Sequence, residues 1–209
     1  MNPLNMRRKY RPGAPEPVSV IAADRGFTLE MRRVFQHSPE QVWRLITEPA
    51  ELRQWAPFDS TFDLGQTGTT TLSTAGTARP IDLPSHIRIA TPPRLLEYTW
   101  GSDVLVWEIE PTAAGTAVTL RHTMGDSRLL ARVAAGWQIC FDVAERYLDG
   151  APIGRIAGPE AVEFDFVRLQ SAHAARLVAP DTALPEDFGR SAPPPWARPG
   201  ATHQPRVRL

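Results

Sequence analysis

Over residues 27–35, FTLEMRRVF, apolar side chains recur at every second position. Phe27, Leu29, Met31 and Phe35 share one face, with Glu30 and Arg32 on the other. That alternation predicts a half-buried strand. The period then changes. In HSPEQVWRLITEPAELRQW, residues 37–55, Val42, Trp43, Leu45 and Ile46 form a stripe at helical spacing. Ser38 and Gln41 have the spacing of a capping box, and Pro39 suits the first helical position. Pro49 disfavours helix at Glu48, so a second short helix is predicted to end near Trp55.

Strand patterns fill the next hundred residues. Phe62, Asp63 and Leu64 precede Gly65 and Gly68, and TTTLST follows. HIRIA (86–90), RLLEYTW (94–100), DVLVWEIEP (103–111) and TAVTLRHT (116–123) are separated by Pro92-Pro93, Gly101-Ser102 and Ala113-Ala114-Gly115. Successive strands joined by short turns predict an antiparallel meander. Alternation puts Leu105, Trp107 and Ile109 on one face and Val104, Val106 and Glu108 on the other, and leaves open which face is concave. His122 shares a face with Val118 and Leu120.

Helical periodicity returns after Ser127, a candidate cap. Leu130, Val133, Trp137, Cys140, Phe141, Ala144 and Leu148 make one stripe, and Gly150 with Pro152 ends it. A further helix is predicted over 159–178, with Val162, Phe166, Leu169 and His173 on one side. Folding back on its own domain and pairing with a second copy as a homodimer are both open for it. Residues 1–24 hold four prolines and no apolar period, predicting a flexible arm. From 180 to 209 a proline-rich run containing Trp196 predicts a disordered tail. The domain boundaries expected are therefore 1–24, 25–150, 151–179 and 180–209.

Composition narrows the function classes. The chain has 209 residues, 42% hydrophobic and 22% charged, with a formal net charge of zero. Such a balance suits a globular domain and favours neither nucleic acid nor a membrane surface. One cysteine, Cys140, fits a reducing compartment, and with no signal-like or membrane-length apolar run the expected location is cytoplasmic. The five histidines show no metal-ligand spacing, and no phosphate-, dinucleotide- or nucleophile-elbow motif is present, so no cofactor, metal or catalytic residue is assigned.

SPEQVWRLITEPAELRQW, Phe62-Asp63-Leu64-Gly65, LLEYTW (95–100), GTAVTLRHT (115–123) and Gly136-Trp137 occur in this order. Together they resemble the START-like (SRPBCC) superfamily, and most closely the branch named after the activator of heat-shock protein 90 ATPase. The resemblance covers 26–150. It implies an α+β helix-grip fold, in which a curved antiparallel sheet wraps one long C-terminal helix around an apolar cavity. It further implies a small hydrophobic ligand contacted by Trp55, Trp100, Trp107, His122, Trp137 and Phe141, with Trp43 facing the sheet and Trp55 near the opening. Two alternatives accompany this expectation. One is a cyclase- or hydrolase-type enzyme in which His122 works with Glu97 or Glu108. The other is a regulator of a heat-shock-protein-90-type ATPase.

Overall fold

The computed structural model describes residues 3–24 and 26–177. The elements are α1 (Pro3–Lys9), β1 (Val18–Ala23), β2 (Gly26–Phe35), α2 (Pro39–Thr47), α3 (Pro49–Trp55), β3 (Phe58–Ser60), β4 (Gly68–Thr74), β5 (Asp82–Thr91), β6 (Leu95–Trp100), β7 (Asp103–Thr112), β8 (Gly115–Met124), α4 (Leu130–Leu148) and α5 (Phe166–Leu177). The eight strands form one antiparallel sheet in the order β1-β2-β8-β7-β6-β5-β4-β3.

The helical entry follows from its sequence. Ser38 Oγ accepts from Gln41 N, and Gln41 Oε1 accepts from Ser38 N, closing the capping box. Pro39 and Pro49 each open a helix. Pro49 cannot donate a helical hydrogen bond, and Glu48 before it adopts extended backbone, so the chain bends there.

The concave face of the sheet carries Leu29 and Met31 on β2, Leu96 and Tyr98 on β6, Leu105, Trp107 and Ile109 on β7, and Val118, Leu120 and His122 on β8, all buried. Register aligns them across the sheet: Leu29 lies opposite His122, His122 opposite Leu105, and Leu105 opposite Tyr98. The convex face carries an ion-pair row in which Arg121 meets Glu30 and Glu108, both at 2.7 Å.

The α4 helix is buried on more than the predicted stripe. Ala134, Ala135, Gln138, Ile139 and Val143 are also covered, because α5 and the N-terminal segment pack on its other side. Leu169 and His173 of α5 are fully buried, so this helix folds back on its own domain.

The structure differs from the sequence expectations at several places. The segment expected as a flexible arm holds α1 and an edge strand, β1, paired with β2 from Val18 to Ala23. It is fastened by side chains distant in sequence. Arg7 donates to the carbonyls of Ile153 and Gly154 at 2.8 Å, Arg168 to Pro12 at 3.0 Å, and Gln138 to Ala14 at 2.9 Å. A strand at residues 62–64 is replaced by β3 at Phe58–Ser60. Asp126 rather than Ser127 caps the turn before α4, accepting from Arg128 N. The helix expected over 159–178 splits. Gly158–Phe164 forms a 3-10 segment, Asp165 adopts a left-handed conformation (φ 58°), and α5 begins after it. Val162 is consequently exposed, while Ala161 and Phe164 take its place in the core. Pro180 onward, with Trp196, lies outside the described residues.

Candidate functional site

Between α4 and the concave face lies a column of aromatic rings. Trp107 and Trp137 meet edge to face at 5.5 Å, Trp55 lies 6.0 Å from Trp107 and 6.4 Å from Trp137, and Phe141 lies 6.1 Å from Trp107. These tilted and T-shaped geometries bring the positive edge of one ring to the negative face of the next. The column continues through His122, 6.1 Å from Trp137, to Trp100, 6.3 Å from His122, and Trp100 packs on Phe58 at 5.1 Å. Trp55, Trp107, Trp137, Phe141 and Phe58 are buried, and Trp100 is only partly so. The space expected to be an apolar cavity is occupied by these side chains. Two shallow concavities, open to solvent, lie elsewhere, beside Gln41, Arg44, Glu51 and Tyr147 and beside Arg94 and Glu110.

His122 joins two elements. Trp137 Nε1 on α4 donates to His122 Nδ1 at 3.0 Å, and His122 Nε2 lies 3.0 Å from Asp103 Oδ2 at the start of β7. An indole N–H only donates, so Nδ1 accepts, and these partners assign the ring proton to Nε2, facing the carboxylate. The ring has no nitrogen left for a substrate. Glu97 and Glu108, its proposed acid–base partners, lie on the convex face, where they pair with Arg88 and Arg121. Strand parity is the reason: Asp103, Leu105 and Trp107 point inward and Glu108 points outward.

Trp55 departs from its expected place near an opening. It is 1% exposed, and its Nε1 donates to Leu45 O at 3.0 Å. Trp43 faces the 63–65 segment, where its Nε1 would lie 3.2 Å from a Cβ built on Gly65. Cys140 is buried, and desolvation pushes its thiol up to about 12.

The family model described as "Activator of Hsp90 ATPase homolog 1-like protein" matches residues 36–149, from the residue after β2 to the C-cap of α4. The chain belongs to this family. Solved structures of similar fold include CalU16 from Micromonospora echinospora (17% identity, TM-score 0.58, covering 80% of this chain and 99% of that one). A protein from Rhodobacter sphaeroides aligns at 20% identity and TM-score 0.53, covering 64% of this chain and 99% of that one. The AHSA1 protein from Silicibacter pomeroyi aligns at 19% identity and TM-score 0.51, covering 58% and 97%. No match was found among curated proteins.

The family's START-like helix-grip architecture is therefore the architecture of this chain, and the aromatic column sits where the grip closes. The structure brings Trp55, Trp100, Trp107, His122, Trp137 and Phe141 into one continuous group. Three further members escape a reading of the motifs: Phe58, which joins the column at Trp100, Asp103 and Ser85. Asp103 shares the inward parity of Leu105, a signal present in the sequence. Ser85, buried on β5, is hidden by Pro84, which makes the strand look as though it begins at His86. Among the described residues there is no cluster of three or more metal-ligating side chains, and no helix is long and apolar enough to cross a membrane.

Proposed function

We propose that this family member is a binding module that takes up an apolar or amphipathic small molecule between the concave face of the sheet and α4. The observation that carries the proposal is the open end of the aromatic column: its rings are buried throughout except at Trp100, where the column reaches solvent. A molecule arriving there meets flat, polarisable ring faces suited to an apolar body. Because side chains already fill the grip, uptake starts at the rim, where Trp100 is only partly buried and holds the arriving molecule. Acid–base catalysis has weaker support, since both ring nitrogens of His122 are committed and Glu97 and Glu108 face outward. Regulation of a chaperone ATPase rests on the family description alone.

Titration of the full chain with the neutral dye N-phenyl-1-naphthylamine, followed by dye emission and native mass spectrometry, tests the proposal. One dye per chain, bound saturably and weakened several-fold by Trp100→Ala, is expected. No saturable binding up to the solubility limit of the dye overturns it.

A further inference from the structure

At the open end of the column the strands set four side chains in one row. Thr70 on β4 pairs with Ser85 on β5, and Trp100 on β6 pairs with Asp103 on β7. Extending the β5–β6 register two residues from Ile87 opposite Tyr98 puts Ser85 opposite Trp100. The bond from Gly101 N to Pro84 O, 3.1 Å, supports that alignment. Ser85 is 4% exposed, and its Oγ has no hydrogen-bond partner. The Nε1 of Trp100 is likewise buried and unpartnered. Elsewhere in the grip the indole donors are paired: Trp55 to Leu45 O, Trp107 to Tyr98 Oη and Trp137 to His122. Buried donors are normally satisfied, so two orphans at facing positions of one rim ask for an occupant.

We propose that this rim is a polar subsite for the carbonyl oxygen of a neutral ligand. The inference rests on uptake at the Trp100 end and names the ligand class taken there. A carbonyl oxygen has two lone pairs, one for the indole N–H of Trp100 and one for the hydroxyl of Ser85. Phe58, packed edge to face against Trp100, offers an apolar ring to the rest of the same molecule. Asp103 borders the row with its carboxylate, 30% exposed, and repels an anionic head such as a carboxylate. A neutral ketone, amide or ester head meets no such penalty.

Three probes of one size separate the possibilities: acetophenone, ethylbenzene and benzoate, each titrated into the 15N-labelled full chain. Acetophenone is expected to bind at least about tenfold more tightly than ethylbenzene, the worth of one satisfied buried hydrogen bond. It should move the Trp100 indole N–H resonance downfield. Ser85→Ala, which removes an orphan hydroxyl and leaves the fold intact, should weaken acetophenone and leave ethylbenzene unchanged. Equal binding of acetophenone and ethylbenzene, an unmoved Trp100 indole resonance, or preference for benzoate overturns the carbonyl subsite while leaving uptake of apolar molecules standing. Binding of none of the three overturns the carbonyl subsite as well, and failure of the naphthylamine dye in addition overturns uptake at the Trp100 end.

Discussion

Trp137 and His122 are joined by a 3.0 Å hydrogen bond that runs from the long helix to the sheet at the centre of the grip. Trp137 is 3% exposed and His122 2%, so neither group has water to fall back on. Trp137→Phe keeps most of the ring and removes the donor. It should cost about 1–3 kcal/mol, because His122 Nδ1 is left buried and unpaired. Trp137→Ala should cost about 3–5 kcal/mol, since a cavity is added to that loss. Urea denaturation measures both. An additive double-mutant cycle with His122→Leu would show that the bond contributes nothing of its own.

The N-terminal segment and α5 meet at one side chain of α4. Gln138 Oε1 accepts from Glu16 N at 3.0 Å and lies 2.8 Å from His173 Nε2. Gln138 Nε2 donates to Ala14 O, which fixes the amide orientation and makes His173 Nε2 the donor. His173 Nδ1 is buried without a partner. Burial, and then the nearby Arg176, pull the His173 pKa below its ordinary value. The unfolded chain therefore binds the proton more readily. The stability His173 contributes is fully present above about pH 6.5 and is lost as pH falls below it. Denaturation of wild type and His173→Gln at pH 7.5 and 5.5 should show the wild type losing more on acidification. Equal losses would rule His173 out as the cause.

Gly76 and Gly158 press two loops together. A Cβ on Gly76 would lie 2.2 Å from Ala157 O, and one on Gly158 would lie 2.5 Å from Gly76 O. Both residues have positive φ, 71° and 62°. Gly76→Ala should therefore cost on the order of 1–3 kcal/mol, combining backbone strain with the clash. It should also raise hydrogen exchange in the 153–158 segment. A melting temperature equal to wild type would contradict this close approach.

Gly136 presents the opposite case. It lies inside α4, and a Cβ there meets nothing within 4 Å. Gly136→Ala should stabilise by about 0.5–1 kcal/mol, because alanine loses less backbone entropy in a helix. Calorimetry decides it, and a destabilised variant would place an unseen contact over that face.

Much of this fold was legible in the sequence where one local rule sufficed. Ser38, Pro39 and Gln41 specify a helix start among themselves, and the alternation of Leu105, Trp107 and Ile109 specifies a face. What stayed hidden depended on partners distant in the chain. β1 reads as a proline-flanked arm because its pairing with β2 supplies the order that its own composition lacks. The left-handed Asp165 breaks a segment whose apolar spacing mimics a longer helix. In the site, the tryptophans and Phe141 announced themselves, but Phe58 and the polar neighbours did not. Asp103 was discoverable from parity with Leu105, whereas Ser85 sits behind a proline that ordinarily excludes a central strand.

The indole region of the 1H–15N spectrum during titration with N-phenyl-1-naphthylamine puts the binding proposal to its most direct test. The account predicts saturable shifts for Trp100 first and for Trp55, Trp107 and Trp137 with it, while Trp43, packed on the far 63–65 segment, stays in place. Shifts confined to Trp43, or none that saturate, would contradict uptake into the grip.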